Sequence, residues 1–160
     1  MSGACLTEFR EEMHRQAAII GASAGFLPTC GGPDRGGFRV DAGTGSVFRL
    51  TYSEKGITDV LIESANADEV MEQVFVLVTQ RMATEDWSRS QTPIEPEEMA
   101  ALSALPVGEM RRMAGALQSN EAAVQFRLMS RLSPQWGERQ LRRNAEREQH
   151  IQTFFDGDRT

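Results

Sequence analysis

The apolar residues of this chain change period around one central block, and that change decides its class. Between Phe38 and Ser64 they alternate: Phe48, Leu50 and Tyr52 fall on one side of an extended chain, Val47, Arg49 and Thr51 on the other, and Val60 and Ile62 continue the rhythm. That is the period-two pattern of strands with one buried face. On either side the step becomes three and four, through Phe9, Met13, Ala17 and Ile20 before the block and Val70, Val74, Leu77, Val78 and Met82 after it, which is the helical repeat. Strands held in one block between helices make an α+β domain. The expectation is a single domain over 1–160, with an N-terminal helix over about 7–25, an antiparallel β-meander of three to four strands over about 37–64, and a helical region over about 66–155 packed on the sheet.

Glycine, proline and capping residues punctuate this pattern. Thr7 is the expected cap of the first helix, and the glycines of "IIGASAGF" end it. "GGPDRGG" reads as loop and "DAGTGS" as the first turn of the meander. The polar "SEKG" closes the second hairpin, with Gly56 supplying a positive φ. Asn66 with Glu69 three residues later has capping-box spacing, and the helix that follows has so little polar surface that it belongs at the centre. The polar run "TEDWSRSQTPIEP" reads as a loop, and "EEMAALSAL" as a short helix with Pro96 near its start, stopped by Pro106. A long helix over Val107 to Leu132, interrupted near "QSNE", completes the set with a last helix capped by Ser133, carrying Pro134 at its first position and anchored by Trp136.

Composition removes several function classes. The net charge of −6 is the wrong sign for a general nucleic-acid binder, which neutralises phosphates with a basic face. No run of apolar residues reaches the roughly 18 that a membrane span needs, and the polar start carries no leader pattern, so a cytoplasmic protein is expected. Cys5 and Cys30 form no CxxC pair and read as reduced thiols, while His14 and His150 stand on different helices without ligand spacing. No phosphate loop or nucleophile elbow is present, so no catalytic, metal-binding or cofactor-binding residues are expected. Arg127, Arg131, Arg139, Arg142, Arg143 and Arg147 alternate with Glu138, Glu146 and Glu148, the pattern of helices paired along their own solvated faces.

The charge is unevenly spread. Residues 67–110 hold 2 basic and 9 acidic side chains, against 6 and 8 in residues 1–66 and 9 and 6 in residues 111–160. Within this acidic middle, Glu85, Asp86, Glu95, Glu97 and Glu98 surround Trp87, a combination suited to a basic protein partner, with charge steering the encounter and an aromatic anchoring it. Glu54, exposed in its turn, is a further candidate contact. A small enzyme using Glu54 or His150 in a cleft between sheet and helices stands as an alternative, as does a self-associating adaptor.

Tyr52, Glu54, Lys55 and Gly56, then the helix of "ADEVMEQVFVLVTQRMA", then Leu132, Ser133, Pro134 and Trp136, and finally Phe155 and Asp156 occur in an order that resembles a family of small α+β immunity proteins of bacterial polymorphic-toxin and contact-dependent inhibition systems. In that family a tyrosine and a Glu-Arg-Gly turn precede a helix with an aromatic-rich apolar face, followed by a Leu-Ser-Pro-x-Trp junction and an acidic Phe-containing tail; here lysine replaces the arginine. The resemblance implies a non-catalytic protein that binds and neutralises one cognate toxin domain in the producing cell, and the acidic charge of the chain suits a toxin that is basic and nuclease-like.

Overall fold

The computed structural model describes residues 2–90, 100 and 104–156, with the side chains of 2–5, 87, 90, 110–118, 151–152 and 154–156 outside the description. The elements run α1 (Ser2–Ile20), a 3₁₀ turn (Ala24–Phe26), β1 (Thr29–Cys30), β2 (Gly37–Ala42), β3 (Phe48–Glu54), β4 (Ile57–Ser64), α2 (Ala67–Ser90), α3 (Val107–Leu132) and α4 (Pro134–Asp156). Strands and helices are segregated, and the fold is α+β. The short helix expected around Pro96 lies outside the described residues.

Helix α1 begins ahead of the expected cap at Thr7, because its apolar stripe starts earlier: Leu6 packs against the core in line with Phe9, Met13, Ala17 and Ile20. It stops at Ile20 rather than near 25. Gly21 takes φ +70°, and the Ala22 and Gly21 N–H groups donate back to Ala17 O and Ala18 O at 2.9 and 3.3 Å, the Schellman arrangement that satisfies a helix end. The Arg131 guanidinium adds a bond to Ile19 O at 2.7 Å, placing a cation at the negative end of the helix dipole.

The sheet order is β1-β2-β3-β4, with β2, β3 and β4 forming the antiparallel meander. It is mixed rather than wholly antiparallel, because β1 pairs parallel to β2 through Thr29–Arg39 and Cys30–Val40. Two residues between Pro28 and the glycines of the following loop are too short a run to show a strand period. The pairs Phe38–Tyr52, Val40–Leu50 and Ala42–Phe48 put their side chains on one face, and Phe9 of α1 stacks on Phe48 there with ring centroids 5.0 Å apart. The opposite face carries the Arg39–Asp41 and Arg49–Glu63 ion pairs.

Helix α2 is the centre of the molecule, with Val70, Val74, Phe75, Val78 and Thr79 almost wholly buried. Asn66 caps it by accepting the Asp68 N–H at 3.0 Å. Glu69 closes the box indirectly, accepting from the Ser64 hydroxyl at 2.6 Å while that oxygen accepts the Asn66 N–H. The helix runs on to Ser90, through residues expected to form a loop. The hydroxyls of Thr84 and Ser88 donate to Gln80 O and Thr84 O within the helix, and Arg89 pairs with Glu85 one turn back, so these polar side chains find partners without leaving it.

Helix α3 is continuous across "QSNE". No proline or glycine interrupts residues 118–121, and the next turns are held by buried Gln125 and Met129. Gln125 donates to Val76 O of α2 at 3.0 Å and accepts from buried Gln140 of α4 at 3.1 Å. A single residue, Ser133, separates α3 from α4: its extended backbone ends one helix, its N–H bonding Met129 O at 3.0 Å, and its carbonyl and hydroxyl receive the Gly137 and Trp136 N–H groups of the next. Pro134 occupies the first position of α4 as expected. Trp136 is buried and stacks on Phe75 with centroids 6.2 Å apart, the anchoring role its position implied.

Candidate partner-binding surface

The β3–β4 hairpin turns in two residues, since Glu54 and Ile57 are already paired. Lys55 and Gly56 take φ +52° and +81°, positive at both central positions as a type I′ turn requires. Only the glycine was legible as a left-handed residue; the lysine beside it adopts a conformation that side chains ordinarily avoid. Tyr52 donates its hydroxyl hydrogen to Glu54 Oε2 at 3.2 Å. That bond and the nearby negative charge disfavour a phenolate and hold the Tyr52 pKa above its usual value. The tetrad of tyrosine, acid, base and glycine is thus a tight turn with its acid tied to its aromatic.

Register extends this end of the sheet into a surface. Phe38, Tyr52 and Asp59 are cross-strand neighbours on one face, and the Phe38 and Tyr52 rings lie 4.8 Å apart. Ile57, on the same face beside Glu54, is 69% exposed, while Val60 and Leu61 of β4 are 54% and 47% exposed. Between the pairs Leu50–Ile62 and Thr51–Val60 the register slips, leaving Leu61 as a bulge, so Val60 and Thr58 point to the face opposite Asp59 and Ile57. Thr58 holds Ser53 there through a 2.8 Å hydroxyl contact.

Of the acids around Trp87, Glu85 and Asp86 lie on the last turns of α2, and Glu85 is partly engaged by Arg89 at 3.4 Å. Asp86 is exposed and makes no ion pair among the described residues. The backbone of Trp87 is helical but its side chain is outside the description, as are Glu95, Glu97 and Glu98. Glu54 sits on the hairpin, a separate element from Glu85 and Asp86. Arg81, the other basic residue of α2, stacks over the Phe26 ring at 4.5 Å.

An open cleft of about 580 Å³ lies where α1, the start of α2 and the α3–α4 junction meet, lined by Gln16, Asn66, Asp68, Glu69, Trp136 and Arg139 among others. Neither Glu54 nor His150 lines it, so the two residues weighed for an enzymatic role do not converge there. Arg139 of its lining is held by a buried charge that sequence reasoning missed. Glu72 of α2, 5% exposed, accepts two bonds from Arg139 at 3.0 Å each and pairs with Arg143 at 3.1 Å. Its carboxylate stabilises the Arg139 guanidinium and raises that group's pKa. These arginines therefore bridge helices instead of pairing along their own, as their spacing had suggested. A lone acid among Val70, Met71, Val74 and Phe75 was the available signal, because a charge at a core position needs partners.

His14 and His150 are both exposed. Cys30 is a free thiol whose pKa burial pushes up to about 11. Among the described residues no group of three or more His, Cys, Asp or Glu side chains is arranged to hold a metal ion, and no helix is long and apolar enough to cross a membrane. Comparison with protein-family models, with characterised proteins and with solved structures finds nothing that matches this chain.

Proposed function

We propose that this chain is a binding protein that neutralises a basic toxin domain by forming a stoichiometric complex with it in the cytoplasm of the producing cell. The observation that carries this reading is the hairpin end of the sheet, where exposed Phe38 and Ile57 share a face with Tyr52, Glu54 and Asp59. Exposed apolar side chains set among charges mark interaction surfaces, and the acids select a basic counterpart and speed its capture. Glu85 and Asp86 on α2 supply a second acidic contact. The toxin is the most specific part of the proposal and is motivated by the ordered motifs from Tyr52 to Asp156.

The test is co-expression with the C-terminal domain of the protein encoded immediately upstream. The expected result is killing by that domain alone, survival when this chain is present, and co-purification of the two in equal amounts. Charge reversal at Glu54, Glu85 and Asp86 together should weaken the complex and its salt dependence. Absence of toxicity, or toxicity without rescue, overturns the neutralisation role.

A further inference from the structure

The mode of partner engagement can be read from β4. It is the last strand in the sheet order, eight residues long, and exposed over its first five residues, Ile57 to Leu61. An edge of this length with apolar side chains is ordinarily protected, because its unpaired N–H and C=O groups recruit further strands. Here the bulge at Leu61 interrupts the far half, but Ile57 to Val60 keep regular register with β3. This regular half offers one exposed apolar side chain on each face, Ile57 on one and Val60 on the other.

We infer that β4 is a docking edge for an extended basic segment of the partner, which adds antiparallel or parallel to Ile57–Val60 as a fifth strand and sets a lysine or arginine beside Asp59 and Glu54. This rests on the binding role proposed above and specifies its geometry. Charge selects the occupant. Asp59 is exposed and forms no ion pair among the described residues, and it neighbours Tyr52, whose hydroxyl is bound to Glu54; a cation there meets two carboxylates and an aromatic face. Lys55 in the turn offsets one of these charges, whereas Glu63 at the far end is already matched by Arg49. A second copy of this chain is a poorer fit. Antiparallel self-pairing over the regular half sets Asp59 opposite Thr58, and β4 holds no lysine or arginine that any register could bring to it.

Strand addition and simple charge attraction are separated by backbone-modified peptides. The probe is a synthetic heptapeptide, acetyl-Thr-Val-Lys-Val-Arg-Val-Thr-amide, titrated into the ¹⁵N-labelled full chain, with a Glu-for-Lys/Arg analogue and two analogues N-methylated at alternate residues. The expected shifts cluster at Ile57–Val60, and the basic peptide binds about tenfold more tightly than the acidic one, the ratio that two modest ion pairs give. One N-methylated set abolishes binding while the other is tolerated, since alternate amides face the edge. Asp59→Lys removes the preference for the basic peptide without unfolding the protein. No shift on β4, equal tolerance of both methylated sets, or a free protein that dimerises through β4 overturns the inference. Toxin rescue with amide protection confined to another surface discards the strand mode and keeps the neutralising role; basic-peptide addition to β4 without any toxin rescue does the reverse.

Discussion

Replacing Gly137 by alanine sets two calculable effects against each other. Gly137 lies in the first turns of α4, where its backbone passes close to α3. A Cβ built there meets Ser130, its Cβ at 2.9 Å and its Cα at 3.0 Å, with the hydroxyl nearer still. The hydroxyl can rotate away, but the Cα is backbone. Carbon atoms at rest lie about 3.5–4.0 Å apart, so α4 must withdraw from α3 by roughly 0.5–1 Å, forfeiting a quarter to a half of the dispersion energy of contacts made through that junction. Overpacking of this kind costs about 1–3 kcal/mol, with the upper half expected here because two helices joined by a single residue cannot shift independently. Opposing it, alanine is better than glycine inside a helix by about 1 kcal/mol. Gly108 of α3 isolates that second effect, since a Cβ there meets nothing within 4 Å. Urea denaturation of both variants is the assay. Gly108→Ala should gain up to about 1 kcal/mol, while Gly137→Ala should lose roughly 1–2 kcal/mol net, lowering Tm by about 2–8 °C for a domain of this size. Adding Ser130→Gly to Gly137→Ala should restore at least about 0.5 kcal/mol through coupling of neighbours. Equal stability of the two alanine variants, at unchanged m-value, would refute the close-approach argument.

Glu72→Gln should destabilise by about 1–3 kcal/mol, at the lower end of what breaking a buried pair costs, because Arg139 and Arg143 keep 44% and 34% of their side chains exposed and can turn to water; Arg139→Ala and Arg143→Ala should each cost less in the same urea series. Cys30 is held protonated in the fold up to about pH 11, so the stability it contributes is complete below the unfolded thiol's value near 9 and is lost as pH rises from there through 11; Cys30→Ala should flatten that alkaline decline, and in a Cys5→Ser background the native thiol should react with a disulfide reagent far more slowly at pH 8 than the unfolded one. Lys55→Asn should raise stability by roughly 0.5–1 kcal/mol in thermal melts, since asparagine enters the left-handed region at lower cost.

What could be read from the sequence was local. The alternation from Phe48 to Tyr52 gave the strands, the three-four spacing of α2 gave the central helix, and Ser133 with Pro134 marked the α3–α4 junction, because each is a property of neighbours along the chain. What could not be read depends on distant partners. Arg139 reaches Glu72 across 67 positions and Arg131 reaches Ile19 across 112, so spacing among nearby acids pointed those arginines to the wrong helix. The last turns of α2 looked like a loop because Thr84, Glu85, Ser88 and Arg89 are polar; polarity measures exposure, and an exposed helix that satisfies its own hydroxyls is as polar as a loop. At the candidate surface, Glu54 and its turn were legible, whereas Ile57 and Val60 became conspicuous only once β4 was known to be an edge.

The division of labour within the sheet yields the last prediction. Along the face that meets the helices, burial falls toward the hairpin: Phe48 and Leu50 are buried, Tyr52 is partly so, and Phe38 and Ile57 are exposed. The core is therefore built at one end of the strands and the apolar surface is displayed at the other. The displayed end is also constrained by a two-residue turn and the Tyr52–Glu54 bond, which lowers the conformational entropy a docking partner has to remove. Residues serving only the displayed end should then be uncoupled from folding. Ile57→Thr and Asp59→Lys are each expected to change stability by no more than about 0.5 kcal/mol, as surface substitutions do, and together to cut affinity for the basic heptapeptide or the toxin domain by about tenfold or more. Trp136→Ala should do the opposite, costing about 3–5 kcal/mol of stability with affinity unchanged in whatever fraction stays folded. If Ile57→Thr unfolds the protein, or Trp136→Ala weakens binding in its folded fraction, the two ends are not independent and the assignment of binding to the hairpin end fails.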